Sequence, residues 1–418
     1  MFSFLHAADI HLDSPLKGLE EYQDAPLEQI RIAARRAFDN LVDLAVEEKV
    51  AFVLLAGDLY DGDWKDYNTG IYFLSRMGRL QDAGIRVFMV SGNHDAASQI
   101  TRSLRLPGNV TLFPYRHAGT HILDDYGVAL YGQSFSDRSV TDDLTGNYPQ
   151  GNPAFFNIGL LHTSLNGRTG HEPYAPCTLD ALRSKGYQYW ALGHVHQREE
   201  VSSDPWVVFP GTIQGRHIRE TGSKGCTLVR VQDERVVSVE HRELDVLRWV
   251  LCRVDAALSE SVEQLLDNVR DIVQEERARA DGRPIAVRIV LEGKTPLHGS
   301  LHEKSLQLHE ELRGVAASFG DVWIEKVRVN TRKPEGSLFI GGESPVESLR
   351  TSIEALEFET SSLMEFIPEF EKLRSKLPPE LLADSDPFRP DEEELSAMRE
   401  EVKELLMGKI EQRGQHEH

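Results

Sequence analysis

Five short apolar runs in the first half of the chain are each met at their C-terminal end by an aspartate, an asparagine or a histidine. That pattern constrains the fold more than any other feature of the sequence. Phe2–Ala7 leads to Asp9 and His11. Ala51–Ala56 leads to Gly57-Asp58-Leu59-Tyr60-Asp61, and Ile85–Val90 to Gly92-Asn93-His94-Asp95. Asn157–Leu161 ends at His162, and Tyr189–Leu192 leads to Gly193-His194-Val195-His196. Unbroken apolar runs of this length read as buried strands. Phe2–Ala7 is an imperfect one, because Ser3 and His6 interrupt it. Between the first two runs, Ile30, Ala34, Ala37, Phe38, Leu41, Leu44 and Ala45 fall on one stripe of a helix over Glu28–Glu48. A second helix covers Tyr67–Ala83 and stops at Gly84. Strand and helix alternate, so the core is α/β.

In sheets of this kind ligands gather beyond the carboxyl ends of the strands. Five strands would aim Asp9, His11, Asp58, Asn93, His162, His194 and His196 at one edge. One cation cannot use so many ligands, but two cations sharing a carboxylate can. Oxygen donors mixed with imidazole suit Mn²⁺, Fe²⁺ or Zn²⁺ better than Mg²⁺. Asp-x-His alone carries almost no information, and Gly-His-x-His alone is only moderately specific. Gly-Asn-His-Asp is more specific, and the whole set in this order after strands excludes an accidental scatter of loop histidines.

Later segments are strand-rich: His121–Asp124, Val128–Tyr131, Trp206–Phe209, Cys226–Val231 and Val236–His241. Two sheets face to face with helices outside fit this order, over residues 1–245. The pattern then restarts. Strands at Trp249–Val254, Ile285–Leu291 and Val322–Val329 alternate with helices at Val262–Ala280 and Leu301–Ser318. This predicts a small α/β capping domain over residues 246–332. A linker rich in Gly, Pro and charge follows at 333–343. Residues 344–418 read as a helical tail, opened by the capping box Ser344-Pro345-Val346-Glu347. Its apolar stripes suit packing on the domains, self-association or a protein partner.

Charge bears on the substrate. The net charge is −21, and the region from Glu343 onward, with 20 acidic and 9 basic residues, carries −11 of it. An acidic chain holds nucleic acid poorly without metal ions, local basic loops or a partner. Two such loops exist. Arg216, His217 and Arg219, with Gly222 and Lys224, follow the last metal motif, and Arg168 and His171 follow His162. Both suit phosphate contact. The three cysteines, Cys177, Cys226 and Cys252, show no metal or disulfide spacing. The N-terminus has no basic leader, and no run approaches the ~18 apolar residues of a membrane span. Both place the chain in the cytoplasm.

The five blocks resemble the signature motifs of the calcineurin-like metallophosphoesterase superfamily. Ala191–Gln197 followed by Phe209–His217 resembles its SbcD-type DNA repair exonuclease branch, and within that branch the group named YhaO in bacilli. The resemblance covers roughly residues 1–245 of the chain, and the later layout is also similar. It implies a four-layer αββα sandwich of two mixed sheets. It implies that Asp58 bridges two divalent cations, Mn²⁺ foremost. Asp9, His11 and His196 would complete one site, and Asn93, His162 and His194 the other. His94 would be the general acid, oriented by Asp61. Nuclease relatives often carry His at that last position, so Asp61 keeps a phosphatase or small-substrate phosphodiesterase open. The resemblance further implies DNA as substrate, an SMC-like coiled-coil ATPase as partner, and a homodimer as a possible state. A non-catalytic scaffold fits poorly with the retention of every ligand position and His94.

Overall fold

Alternation along each strand decides the layers. In β1 (Phe2–Ala7), Phe4 points one way while Leu5 and Ala7 point the other. In β2 (Phe52–Ala56), Phe52 and Leu54 oppose Val53 and Leu55. In β3 (Arg86–Val90), Phe88 and Val90 oppose Val87 and Met89. One set packs on α1 (Ala33–Glu47) and α2 (Tyr67–Asp82), through Phe38, Leu41, Phe73 and Met77. The other set packs on a second sheet, against Leu130, Phe156, Ile158, Tyr189 and Val208. Both faces of the first sheet are therefore buried, which is why its strands read as continuous apolar runs. The computed structural model describes residues 1–14, 32–60, 67–97, 105–166 and 174–334, together with Ile353, Lys403 and Leu406.

The first sheet continues from β3 to β4 (Val110–Leu112) on one side. On the other, β1 meets β11 (Gly225–Gln232) and then β12 (Arg235–Glu243). β1 to β4 run parallel; β11 runs antiparallel to β1, and β12 antiparallel to β11. The second sheet holds β5 (Gly119–Leu123), β6 (Val128–Gln133), β7 (Phe156–His162), β8 (Tyr189–Gly193), β10 (Trp206–Phe209) and β9 (Glu199–Ser203), in that order. Its middle strands β6, β7, β8 and β10 are parallel. This is the α/β sandwich of two mixed sheets that the strand order implied. The outer face of the second sheet is covered more thinly. Among the described residues, Leu182 of the five-residue helix Leu179–Arg183 and the aromatic side chains Tyr148 and Tyr187 seal it.

Residues 248–332 build a separate sheet. β13 (Arg248–Asp255), β14 (Ile285–Lys294) and β15 (Val322–Arg332) lie parallel in sequence order. Helices Val262–Arg279 and Ser305–Ala317 cover one face. The helix expected over Leu301–Ser318 is divided at Lys304, whose backbone leaves the helical region (φ −107, ψ 29). Met1–Leu297 and Leu301–Arg332 make one compact unit; His298–Ser300 group with residues 333–418 in a second. The predicted linker and tail lie almost wholly outside the described residues. Among the described residues, no helix is long and apolar enough to cross a membrane.

Candidate metal centre

The two sheets bring the carboxyl ends of their parallel strands to one edge, and the chain turns sharply there. Asp9 (φ 49), His11 (φ 45), Asp58 (φ 51) and His194 (φ 103) all adopt the left-handed conformation. Non-glycine residues pay about 1–3 kcal/mol each for such backbones, and such residues cluster at functional sites. Here the loops after β1 and β2 enforce it. Asp9 N–H donates to Gly57 O at 3.0 Å, His11 N–H to Asp58 O at 3.0 Å, and Leu12 N–H to Leu59 O at 2.9 Å.

Side chains converge as a result. Donor atoms of Asp9, His11 and His196 lie within 4.8 Å of one another; so do those of Asp9, Asp58 and His162, and those of His11, Asp58 and His94. Asp58 Oδ2 stands 3.4 Å from His162 Nε2 and 4.0 Å from His11 Nε2. His162 Nε2 is 3.0 Å from Asn93 Oδ1. His194 sets its ring edge-on to that of His162, centroids 5.2 Å apart. The backbone N–H of His194 donates to both oxygens of Asp9, at 3.1 and 3.0 Å. The structure thus gathers all seven ligand-type residues named from the sequence at one place. His94 joins them at the rim. Its backbone N–H donates to Asp58 Oδ1 at 3.0 Å, and its ring lies 4.9 Å from that of His11.

Hydrogen bonding on the far side of the rings shows what the cluster is built to hold. His162 Nδ1 is 3.0 Å from Ala56 O, so that nitrogen is the donor and the Nε2 lone pair faces Asn93 and Asp58. His196 Nδ1 lies 2.7 Å from Glu220 Oε1, so its Nε2 faces His11 Nε2 at 3.3 Å. Lone pairs aimed at other acceptors need a shared proton or a cation between them. Two buried carboxylates, an amide oxygen and imidazoles with carboxylate or carbonyl backing are a donor set that fits divalent transition metals. Burial raises Asp9 above the usual carboxylate range. Burial presses on Asp58 as well, but His162, His94 and His11 around it overcome that and hold it well below the range. Burial pulls His162 down, yet Asp58 and Asp9 hold it up at about 9. A proton there occupies the place a cation would take.

Three further residues complete the centre, and sequence reading assigned none of them a role. Glu220 is buried, orients His196, and accepts the Arg216 N–H at 2.6 Å. Asp95 accepts Tyr60 N–H at 3.0 Å and Gly92 N–H at 3.1 Å, tying the second and third loops together. Thr212 Oγ donates to Asp9 O at 2.6 Å. The available signal for Glu220 was a lone acid in a basic loop; for Asp95 it was the last letter of Gly-Asn-His-Asp. Arg216 stands beside this group, 3.5 Å from Glu220 Oε1 and 3.4 Å from Ser14 Oγ. His217 is more exposed, 3.7 Å from the same carboxylate oxygen. Asp61, Arg168 and His171 lie outside the described residues.

Comparison with known proteins agrees with this geometry. The model of the calcineurin-like phosphoesterases matches residues 2–198, and that of the metallophosphoesterase YhaO middle domain matches residues 249–332. Metallophosphoesterase YhaO of Bacillus subtilis is 35% identical over 298 residues, spanning 70% of this chain and 72% of that protein. The chain is a calcineurin-like metallophosphoesterase of the YhaO family. Two DNA double-strand break repair proteins Mre11 are more distant relatives of this metallophosphoesterase. That of Sulfolobus acidocaldarius is 23% identical over 317 residues, 72% of this chain and 78% of its own. That of Sulfurisphaera tokodaii is 24% identical over 306 residues, 70% and 73% respectively.

Proposed function

We propose that this metallophosphoesterase is a two-metal-ion phosphodiesterase that hydrolyses DNA at or near its ends, in DNA repair. The observation that carries the reading is the clustering of donors around Asp58, with the lone pairs of His162 and His196 turned inward by Ala56 O and Glu220. We assign Asp9, His11 and His196 to one cation and Asn93, His162 and His194 to the other, with Asp58 between them and Mn²⁺ as the metal. Bound there, the two ions supply an activated water and neutralise charge on the phosphate. The chain's own groups do the rest. Arg216 and His217 hold the non-bridging oxygens, and His94, at the rim, gives its proton to the departing oxygen. Asp61 orients His94. The distant likeness to Mre11 proteins supports DNA as the substrate. The tail sequence supports docking on an SMC-like ATPase, and we place the enzyme in the cytoplasm, where the free thiols of Cys177, Cys226 and Cys252 persist.

The test is cleavage of a labelled linear duplex by the purified chain with Mn²⁺, beside a His94→Ala variant and an aryl phosphodiester. General acids contribute about 10²–10⁴-fold, so DNA cleavage should fall by that much in the variant. The aryl ester should suffer less, because a phenolate departs without needing a proton. Metal-dependent aryl-ester turnover beside intact linear, nicked and hairpin duplexes would overturn the DNA reading and favour a small-substrate phosphodiesterase.

A further inference from the structure

The end of the sandwich remote from the metal centre carries an open cavity of about 310 Å³. Phe2, Tyr126, Glu48, Lys49 and Arg230 are among the residues that line it. It sits where β1 and β2 begin, roughly 16 Å along β1 from the end that leads to Asp9. Small-molecule sites of about 300 Å³ and more set a few polar groups among apolar walls.

One wall is aromatic. Phe2 is half-buried, and its ring lies 5.8 Å from that of Tyr126, which is 39% exposed. Phe52 and Phe156 back Phe2, with ring centroids 6.0 and 6.1 Å away. Such a wall suits a flat ring system. The charged groups leave one cation over. Glu48 accepts from Arg242 at 2.6 Å and from Arg230 at 3.3 Å, and Glu240 also binds Arg230. Those two acids and two arginines cancel. Lys49 is exposed at the rim and pairs with no carboxylate among the described residues.

The backbone shows that Lys49 stands there at a cost. α1 ends in a Schellman turn, in which Val50 N–H donates to Ala45 O and Lys49 N–H to Val46 O, both at 3.2 Å. α2 ends in the same way, with Ile85 N–H on Leu80 O at 2.8 Å and Gly84 N–H on Gln81 O at 2.9 Å. The left-handed residue of the turn is Gly84 (φ 73) in α2 but Lys49 (φ 51) in α1. Glycine adopts that backbone freely, and lysine does not. A cation also suits the carboxyl end of a helix, but the last turn of α1 could carry one without strain and carries none. Strain of this kind persists where a side chain is needed for binding.

We propose that the cavity binds a planar aromatic monoanion, with its ring on Phe2 and Tyr126 and its acid on Lys49. An aromatic carboxylate and a nucleobase carrying a single phosphodiester charge share this chemistry. The site stands apart from the metal centre and does not depend on the DNA reading.

The experiment is equilibrium dialysis of 2-naphthoate, neutral 2-naphthamide and 3′,5′-cyclic AMP against the full chain and its Lys49→Gly and Tyr126→Ser variants. Urea midpoints and aryl-phosphodiester turnover are measured alongside. Removing one charge-assisted contact costs about tenfold in affinity, so Lys49→Gly should weaken anion binding by that much, and the amide should bind the wild type as poorly. Tyr126→Ser should weaken binding too. The glycine variant should also gain in urea midpoint, which separates lost binding from lost folding, and both variants should keep wild-type turnover. Variant-sensitive binding of 2-naphthoate alone assigns the site to aromatic carboxylates, and of cyclic AMP alone to nucleobase phosphodiesters; either upholds the proposal. Anion binding that neither variant weakens, equal affinity for the amide, or no binding of either anion would overturn it.

Discussion

Glu220 meets His196 on the nitrogen that faces away from the cluster, 2.7 Å from Nδ1. A carboxylate in that position fixes the tautomer and makes the opposite nitrogen a better ligand. Burial works against its charge, but His196, Arg216 and His217 hold it ionised far below the usual range. Glu220→Gln keeps the shape and removes the charge. Loss of such a partner typically lowers metal affinity by about 10–100-fold, which calorimetric titration with Mn²⁺ will measure. Affinity equal to wild type would mean that Glu220 only holds the Arg216 loop. Gly193 makes a different demand. A Cβ there would lie 1.9 Å from Ala56 O and 2.9 Å from His162 Nδ1. Both atoms belong to the hydrogen bond that points His162 inward. Gly193→Ala should therefore cost about 1–3 kcal/mol by overpacking and lower metal affinity as well. A urea midpoint and a titration unchanged by the substitution would show that β8 can retreat freely.

At the level of elements, β1 and β8 are joined across the two sheets by a buried histidine. His6 Nε2–H donates to Leu192 O at 3.1 Å, and Nδ1 accepts from the Tyr189 hydroxyl at 3.0 Å. That pairing requires the neutral ring, and burial lowers its pKa to about 3. In the unfolded chain His6 takes a proton near 6.5. Between those values the unfolded state binds more protons, so stability is lost as pH falls from about 6.5 toward 3, by up to about 1.4 kcal/mol per pH unit. In His6→Gln the amide can keep both hydrogen bonds and does not titrate. Urea midpoints at pH 7 and pH 5 should then diverge less in the variant; equal losses in both proteins would remove His6 from the account. The same residue explains part of what sequence could show. Strands such as FVLLA in β2 were legible because both faces are buried. Ser3 and His6 blurred β1, since the sequence does not reveal a cross-sheet partner. β4, three residues long, and the polar edge strand β9 left too little apolar signal to find. Asp9, Asp58 and His196 were legible because each follows a strand. Glu220 and Asp95 act on other loops across the fold, and no spacing records that.

Across the whole described unit, the metal centre and the capping sheet meet at one loop. Gln214 Nε2–H donates to Leu247 O at 2.7 Å, and Val246 N–H donates to Gln214 Oε1 at 2.9 Å. Trp249, at the start of β13, donates from Nε1 to Gly215 O at 2.9 Å, and its own carbonyl accepts Gly222 N–H at 3.2 Å. A Cβ on Gly215 would lie 2.9 Å from the Trp249 ring, so the contact is close as well as polar. Between these anchors lie Arg216 and Glu220. The capping sheet therefore braces the loop whose Glu220 meets His196, and under the proposed function Trp249 would act as a positioning residue for the metal centre. Trp249→Phe keeps much of the ring's bulk and removes one of the two donors to Gly215 O, leaving Gln214 Nε2–H at 3.1 Å, a loss of about 0.5–1.5 kcal/mol. A purely structural role would lower the urea midpoint and nothing else. A positioning role predicts weaker Mn²⁺ binding in the folded variant, and non-additivity with Glu220→Gln, because both changes disturb the same carboxylate–imidazole contact. Coupled residues of this kind show interaction energies of about 0.5–3 kcal/mol. A double-mutant cycle on Mn²⁺ affinity decides the matter: coupling in that range ties the capping sheet to the chemistry, and simple additivity reduces Trp249 to packing.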